Sequence, residues 1–205
     1  MAQAGNPYQV ALVRARAALE HVSPYAVALR SGATVLPGGV GLELAYWGRS
    51  VEVRWPAGEV LWVAGGEPST VVQLLVLHYL IAADGTPMGE RWVAFRELAD
   101  GRVYDSAFYK RACAPLERAF GQRLSAFVET CVARGGERLT FGDASFMFQV
   151  LPRVRVALVL YTCDDEFPAR ASVLFDAATR HYLPIEDVAV LGGMVAGSVV
   201  RGAET

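Results

Sequence analysis

The residues best equipped for chemistry lie close together near the end of the chain. In CDDEFPARASVLFD, residues 163–176, the acids Asp164, Asp165 and Glu166 precede Phe167-Pro168, and an apolar run then ends in a fourth acid, Asp176. Clustered carboxylates can hold a divalent cation, and a carboxyl pressed against an apolar wall can exchange a proton near neutral pH. A plain turn accounts for the same residues, with Asp164 accepting from backbone amides and Glu166 paired with an arginine such as Arg170. A strand of about six residues spans about 20 Å, which separates Asp176 from the loop acids and argues against one shared site. The turn is the favoured account, with Asp164 as an exposed turn residue. Glu166 is the exception. Phe167, if buried, would carry that carboxylate into an apolar setting, for acid/base work or for a buried arginine pair.

Histidines supply the other candidates. In HYLPIEDV, His181 stands before Pro184 at the expected entry to a last helix whose first turn holds Glu186 and Asp187, where acids favour the helix dipole with or without a site. His181, Glu186 and Asp176 would form a second pocket if the strand end and the helix start adjoin. His78 sits mid-helix among apolar residues, with Gln73 as its polar neighbour. A neutral core histidine is expected there rather than an axial metal or haem ligand, because a lone histidine without a second ligand signature seldom binds metal. The ligand-binding candidates are therefore Asp165, Glu166, Asp176, His181, Glu186 and His78, with no metal site and no cofactor assigned. Cys113, Cys131 and Cys163 are far apart in the chain and form no Cys-x-x-Cys. Three free thiols are expected rather than a self-contained zinc or iron-sulfur centre. The chain has no Gly-x-Ser-x-Gly, phosphate loop, dinucleotide fingerprint or His-Glu-x-x-His. Trp47, Trp55, Trp62 and Trp92 are expected to pack in the core, with a ligand-stacking wall or partner interface as the alternative.

The elements that must position these groups follow from apolar period and punctuation. Tyr8, Leu12, Ala15 and Leu19 recur at helical spacing behind an Asn6-Pro7 start, and SPYAVALRSG frames a second helix between Ser23 and Gly32. Period two then takes over. Leu42, Leu44 and Tyr46, then Val51, Val53 and Trp55, then EVLWV predict a three-stranded antiparallel meander. A nearly all-apolar helix opens near Pro68-Ser69 and closes by Gly85, and two further helices divide near FGQR. RWVAF, RLTF, ASFMFQVL, VRVALVLYT and ASVLFD read as strands, and Ile185 to about Val200 as a last helix in which the small residues of LGGMVAG permit close packing. Helices and strands come in separate runs, so the class is α+β: mainly antiparallel sheet, an N-terminal meander plus C-terminal hairpins, around a buried central helix.

Composition narrows the function classes. With 205 residues, 53% apolar and 20% charged, the chain is expected to form one domain over residues 1–205 without disulfides or metals. A net charge of −2 and scattered arginines argue against nucleic acid as a partner. The N-terminus lacks a signal-peptide pattern, and the apolar run Val71 to Ala83 would span only about 20 Å as a helix, so a cytoplasmic protein with no membrane partner is expected.

Three stretches resemble a known family: LLVLHYLIAADGTPMGERWVAFREL, FGDASFMFQVLPRVRVALVLYTCDDEFPARASVLFD and HYLPIEDVAVLGGM. Together they look like the bacterial and archaeal "domain of unknown function 3786", over roughly residues 40–195 and preceded by an N-terminal helical extension. The family's motif is matched at Asp165, Glu166, Phe167, Pro168, Ala169, Leu174, Phe175, Asp176, Leu183, Pro184 and Glu186. The resemblance implies a link to anaerobic cofactor or metalloprotein metabolism, since some members resemble fusions to a four-cysteine iron-sulfur module that this chain lacks. The expected function is a soluble accessory protein that binds a small molecule, a cofactor or a partner protein. A carboxylate-dependent, metal-assisted hydrolase using Asp165, Glu166 and His181 is the alternative, and a purely structural interaction protein is a third.

Overall fold

The computed structural model describes residues 7–89 and 91–203, which sort into two compact units. The first comprises residues up to Pro87 together with Val150–Arg153 and His181–Pro184, and the second comprises Met88–Gln149, Val154–Arg180 and the chain from Ile185 onward.

The first unit opens with α1 (Pro7–Leu19) and α2 (Pro24–Ser31). Leu12, Ala15 and Leu19 are buried as their spacing requires, while Tyr8 is about half exposed. The Asn6 cap lies outside the described residues. Gly32 ends α2 in the left-handed region at φ 76°, where its amide donates to the Ala28 carbonyl. The meander consists of β2 (Gly41–Tyr46), β3 (Arg49–Arg54) and β4 (Glu59–Trp62), and a two-residue strand β1 (Thr34–Val35) pairs with β2 to make four antiparallel strands. Register places Leu42 opposite Val53, Leu44 opposite Val51 and Val53 opposite Val60, so one face is continuously apolar and buried.

The apolar helix of this unit is α3 (Thr70–Ala82), capped by Ser69, whose hydroxyl accepts from the Val72 amide at 3.4 Å. Val72 through Leu77, with Tyr79 and Leu80, are all buried. Gln73 is buried at no loss of hydrogen bonds: its side-chain amide donates to the Pro68 carbonyl at 2.9 Å and accepts from Arg16 at 3.2 Å.

The second unit has a five-stranded antiparallel sheet in the order β5-β9-β8-β7-β6. Its strands are β5 (Trp92–Ala94), β6 (Glu137–Leu139), β7 (Ala144–Leu151), β8 (Val154–Tyr161) and β9 (Arg170–Asp176). The helices are α4 (Gly101–Phe120), α5 (Leu124–Ala133) and α6 (Ile185–Gly202). Phe95, Phe108 and Phe175 form a mutually contacting ring cluster, with Phe95 and Phe108 stacked at 4.3 Å. Gly192 of α6 lies against that cluster. The α+β class, the antiparallel pairing and the breaks between helices agree with the sequence reading.

Candidate functional site

The acidic turn is a self-contained hydrogen-bonded structure. Asp164 Oδ1 accepts from the Glu166 amide at 2.9 Å and from the Phe167 amide at 2.7 Å, and the Asp164 amide donates back to the Phe167 carbonyl at 3.0 Å. The Cys163 amide, donating to the Gly121 carbonyl at 2.9 Å, ties the turn to the end of α4. Asp165 and Glu166 are exposed, and Phe167 is 65% exposed. The aromatic wall invoked for Glu166 is therefore absent from that position, because Phe167 points outward while Asp164 organises the turn. A second tie is Asp143, which accepts from both the amide and the hydroxyl of Thr162 at 2.8 and 2.6 Å; those bonds hold its carboxyl below the usual range.

Asp176, at the other end of β9, is 1% exposed. One oxygen accepts from the Ala178 amide at 2.9 Å and the Gly89 amide at 3.2 Å, and the other pairs with Arg155. Arg155 also donates to the Gly89 carbonyl and lies over the Trp92 ring. The carboxylate thus fastens the segment before β5 to the end of β9, a buried pair whose rupture would cost about 3 to 5 kcal/mol.

His181 has a partner that sequence reasoning did not identify. Its Nδ1 is 2.7 Å from Asp84 Oδ2, within the first unit, while Asp84 Oδ1 accepts from the Thr86 amide at 2.8 Å. These bonds, Thr86 first and His181 after it, hold the Asp84 carboxyl down at about 2. Beside them Tyr182 donates to the Thr86 carbonyl and stacks on Tyr79 at 5.6 Å. Tyr79 donates in turn to the Ser31 carbonyl and accepts from the Arg153 amide at 3.1 Å. An aspartate on Nδ1 fixes the imidazole's orientation. The end of the helix by Gly85 was legible, but nothing in the sequence linked Asp84 to position 181. Asp176 and His181 thus have separate partners in different units, and Glu186 is exposed in the first turn of α6.

His78 is half-buried rather than enclosed, and lines a shallow cavity of about 670 Å³ between α1 and α3 with Val10, Arg14 and Ile81. The four tryptophans are likewise half-buried, and Trp62 carries the Arg49 guanidinium at 3.6 Å from its ring centre. All three cysteines are free. Burial pushes the Cys131 thiol up to about 12 and the Cys113 thiol up to about 11, so both are protonated at neutral pH. Among the described residues, no group of three or more His, Cys, Asp or Glu side chains is arranged to hold a metal ion. None of the described helices is long and apolar enough to cross a membrane.

The feature most like a binding site was not singled out from the sequence. β5 pairs with β9 only over Leu174–Asp176, and the chain then leaves the sheet at Phe95. Beyond that point the edge of β9 faces α4 across a groove of about 660 Å³. Two α4 side chains substitute for the missing strand. Glu117 Oε1 accepts from the Ala171 amide at 3.0 Å, and the Val173 amide bonds to the Cys113 thiol. The second Glu117 oxygen accepts from the Tyr109 hydroxyl at 2.6 Å, which raises the Tyr109 pKa. Arg96, Asp105 and Arg170 supply the remaining charged groups of the lining. Tyr109 and Glu117 lie eight positions apart, a spacing with no established sequence signature.

Comparison with known proteins places this chain in a family. Neither a search of curated proteins nor a search of solved structures returned a match. A family model does match, over residues 23–198, beginning at the residue that precedes α2 and reaching almost to the end of α6, so that α2 falls inside the family region and α1 outside it. With that span covered, the chain belongs to the family described as "Domain of unknown function (DUF3786)".

Proposed function

We propose that this chain is a non-catalytic accessory protein that takes up a small molecule or cofactor in the groove between α4 and β9. The observation that carries the reading is the Tyr109–Glu117–Ala171 chain of hydrogen bonds at the groove wall. A carboxylate held on both oxygens is a fixed hydrogen-bonding surface rather than a proton carrier, and a pocket of this size with a few oriented polar groups suits a small ligand. The protonated Cys113 thiol adds packing and no nucleophile. Arg96 and Arg170 favour a ligand bearing carboxylate or phosphate groups. A small molecule or a protein, rather than nucleic acid, is the partner in this reading. Its setting is the reducing cytoplasm, where free thiols persist. A role in anaerobic cofactor or metalloprotein metabolism rests on family resemblance alone.

The hydrolase alternative draws support from the His181–Asp84 pair, not from Asp165 and Glu166, which sit on an exposed turn. Protein purified without oxygen and examined by native mass spectrometry, absorption and metal analysis separates the readings. A bound organic mass that is lost in Arg170→Ala is the expected outcome. Stoichiometric zinc or manganese with hydrolytic turnover abolished by His181→Asn would replace the accessory reading with the enzyme. A bare protein that no anionic metabolite in a panel protects against thermal unfolding would remove it.

A further inference from the structure

Two surfaces of the second unit, both outside the groove, carry opposite charge around bare apolar side chains. The first is the turn between β8 and β9. Phe167 stands exposed on a loop fixed by the backbone and Asp164 bonds described above, flanked by exposed Asp164, Asp165 and Glu166. Tyr161, at the end of β8, is about half exposed. An aromatic held in advance on a rigid turn loses little entropy on docking, which is what an interface anchor requires. The second surface is the outer face of α4. Val103, Ala107, Lys110, Ala114 and Arg118 follow one another at spacings of three and four and so share one side of the helix. Val103 is 80% exposed and Lys110 and Arg118 are exposed; Asp105 lies on the groove side, and Glu117 stands at the border between this face and the groove, with its carboxylate already held by Tyr109 and the Ala171 amide.

We propose that these surfaces recognise each other between two copies of this chain, the acidic Phe167 turn of each docking on the basic, apolar face of α4 of the other. A twofold arrangement, in which each copy offers both halves, would close the contact on itself as a pair instead of propagating it head to tail. Phe167 would cover the aliphatic stretch at Ala107 and Ala114, while Asp165 and Glu166 meet Lys110 and Arg118, each about one helical turn from Ala114. The net charge of −2 leaves little long-range repulsion to oppose the approach. The pairing is electrostatic at its rim, so it weakens as salt shortens the screening length.

Sedimentation velocity at about 0.1 mM protein, in low and in high salt, reads this directly. Wild-type protein is expected to be a dimer at low salt that dissociates as salt rises. Phe167→Ala, the pair Asp165→Lys with Glu166→Lys, and the pair Lys110→Glu with Arg118→Glu should each be at least about tenfold weaker, with unchanged circular dichroism and melting. Mixing the two charge-reversed proteins in equal amounts should restore a dimer, since each then offers the other complementary faces, and recovery on mixing also shows that both are folded. A wild type that stays monomeric, a dimer indifferent to these substitutions, or charge-reversed partners that fail to pair would overturn the proposal. None of the substituted residues lines the α4–β9 groove, so ligand retention there is scored separately.

Discussion

The two acids that the sequence set against each other exchange roles in the structure. Glu166 adjoins an aromatic, which in an unfolded string reads as a route into the core, but a Phe-Pro step can equally cap a turn, and here it does. Asp164 accepts two amides, and Asp164→Ala should cost about 1 kcal/mol by leaving them without a protein partner. Asp164→Asn keeps an acceptor and is the milder change. Glu166→Gln should stay within about 0.5 kcal/mol, as surface substitutions do; chemical denaturation of the three variants gives the order, and a costlier Glu166→Gln would restore the sequence-based view. Asp84 offers a pH test in the same register. Its carboxyl is lowered from 3.8 to about 2, so the anion is favoured by the fold, and its contribution is complete above pH 4 and lost as pH falls towards 2. Asp84→Asn should therefore melt below the wild type at pH 6, with the gap closing between pH 4 and 2. A gap unchanged by acid would mean that the charge is not what matters at this position.

At the scale of elements, the small-residue run in α6 provides the clearest prediction. A Cβ at Gly192 would meet Phe175 at 2.8 Å and Phe108 at 2.9 Å, both rings being buried in the aromatic cluster. Gly192→Ala must displace a packed ring and should cost about 1 to 3 kcal/mol. Its neighbour Gly193 faces the flexible Arg111 stem at 3.4 Å, so Gly193→Ala should be neutral or stabilising, by up to about 1 kcal/mol of helix propensity. Paired thermal melts decide it, and equal effects at the two positions would contradict the packing. This contrast also marks what the sequence could disclose. LGGMVAG was legible as a close helix contact because small residues in an apolar stripe have few other uses, and Ser69, Gly32 and the alternating Leu42–Tyr46 run announced their elements through local chemistry. The site was harder to read. Tyr109 and Glu117 matter because β5 stops at Ala94 and leaves β9 amides to be satisfied from α4, and the length of a strand pairing is a tertiary outcome that no local pattern encodes. Asp84–His181 and Arg155–Asp176 are likewise joined by the fold across long stretches of chain.

For the whole molecule, the order of the chain constrains how the first unit can form. Residues up to Pro87 supply its helices and meander, but the segments Val150–Arg153 and His181–Pro184, which return later in the chain, complete it. Val150 accepts from the Trp47 amide at 2.8 Å, the Arg153 amide donates to Tyr79, Tyr182 stacks on Tyr79 and bonds the Thr86 carbonyl, and His181 meets Asp84. Without these segments the Tyr79 ring, fully buried in the intact unit, would lose its stacking partner. Stripping a large aromatic of its packing costs about 3 to 5 kcal/mol in comparable cores, a substantial share of the total stability of a small domain. A fragment of residues 1–87 should therefore not reach the native state on its own, despite containing a capped apolar helix and four paired strands. Its amide NMR spectrum should show the narrow dispersion of a collapsed, fluctuating chain, whereas the full-length protein should be well dispersed and melt cooperatively. A fragment with native dispersion and its own sharp melting transition would show that α3 and the meander suffice, and that Val150–Arg153 and His181–Pro184 dock on a unit already formed.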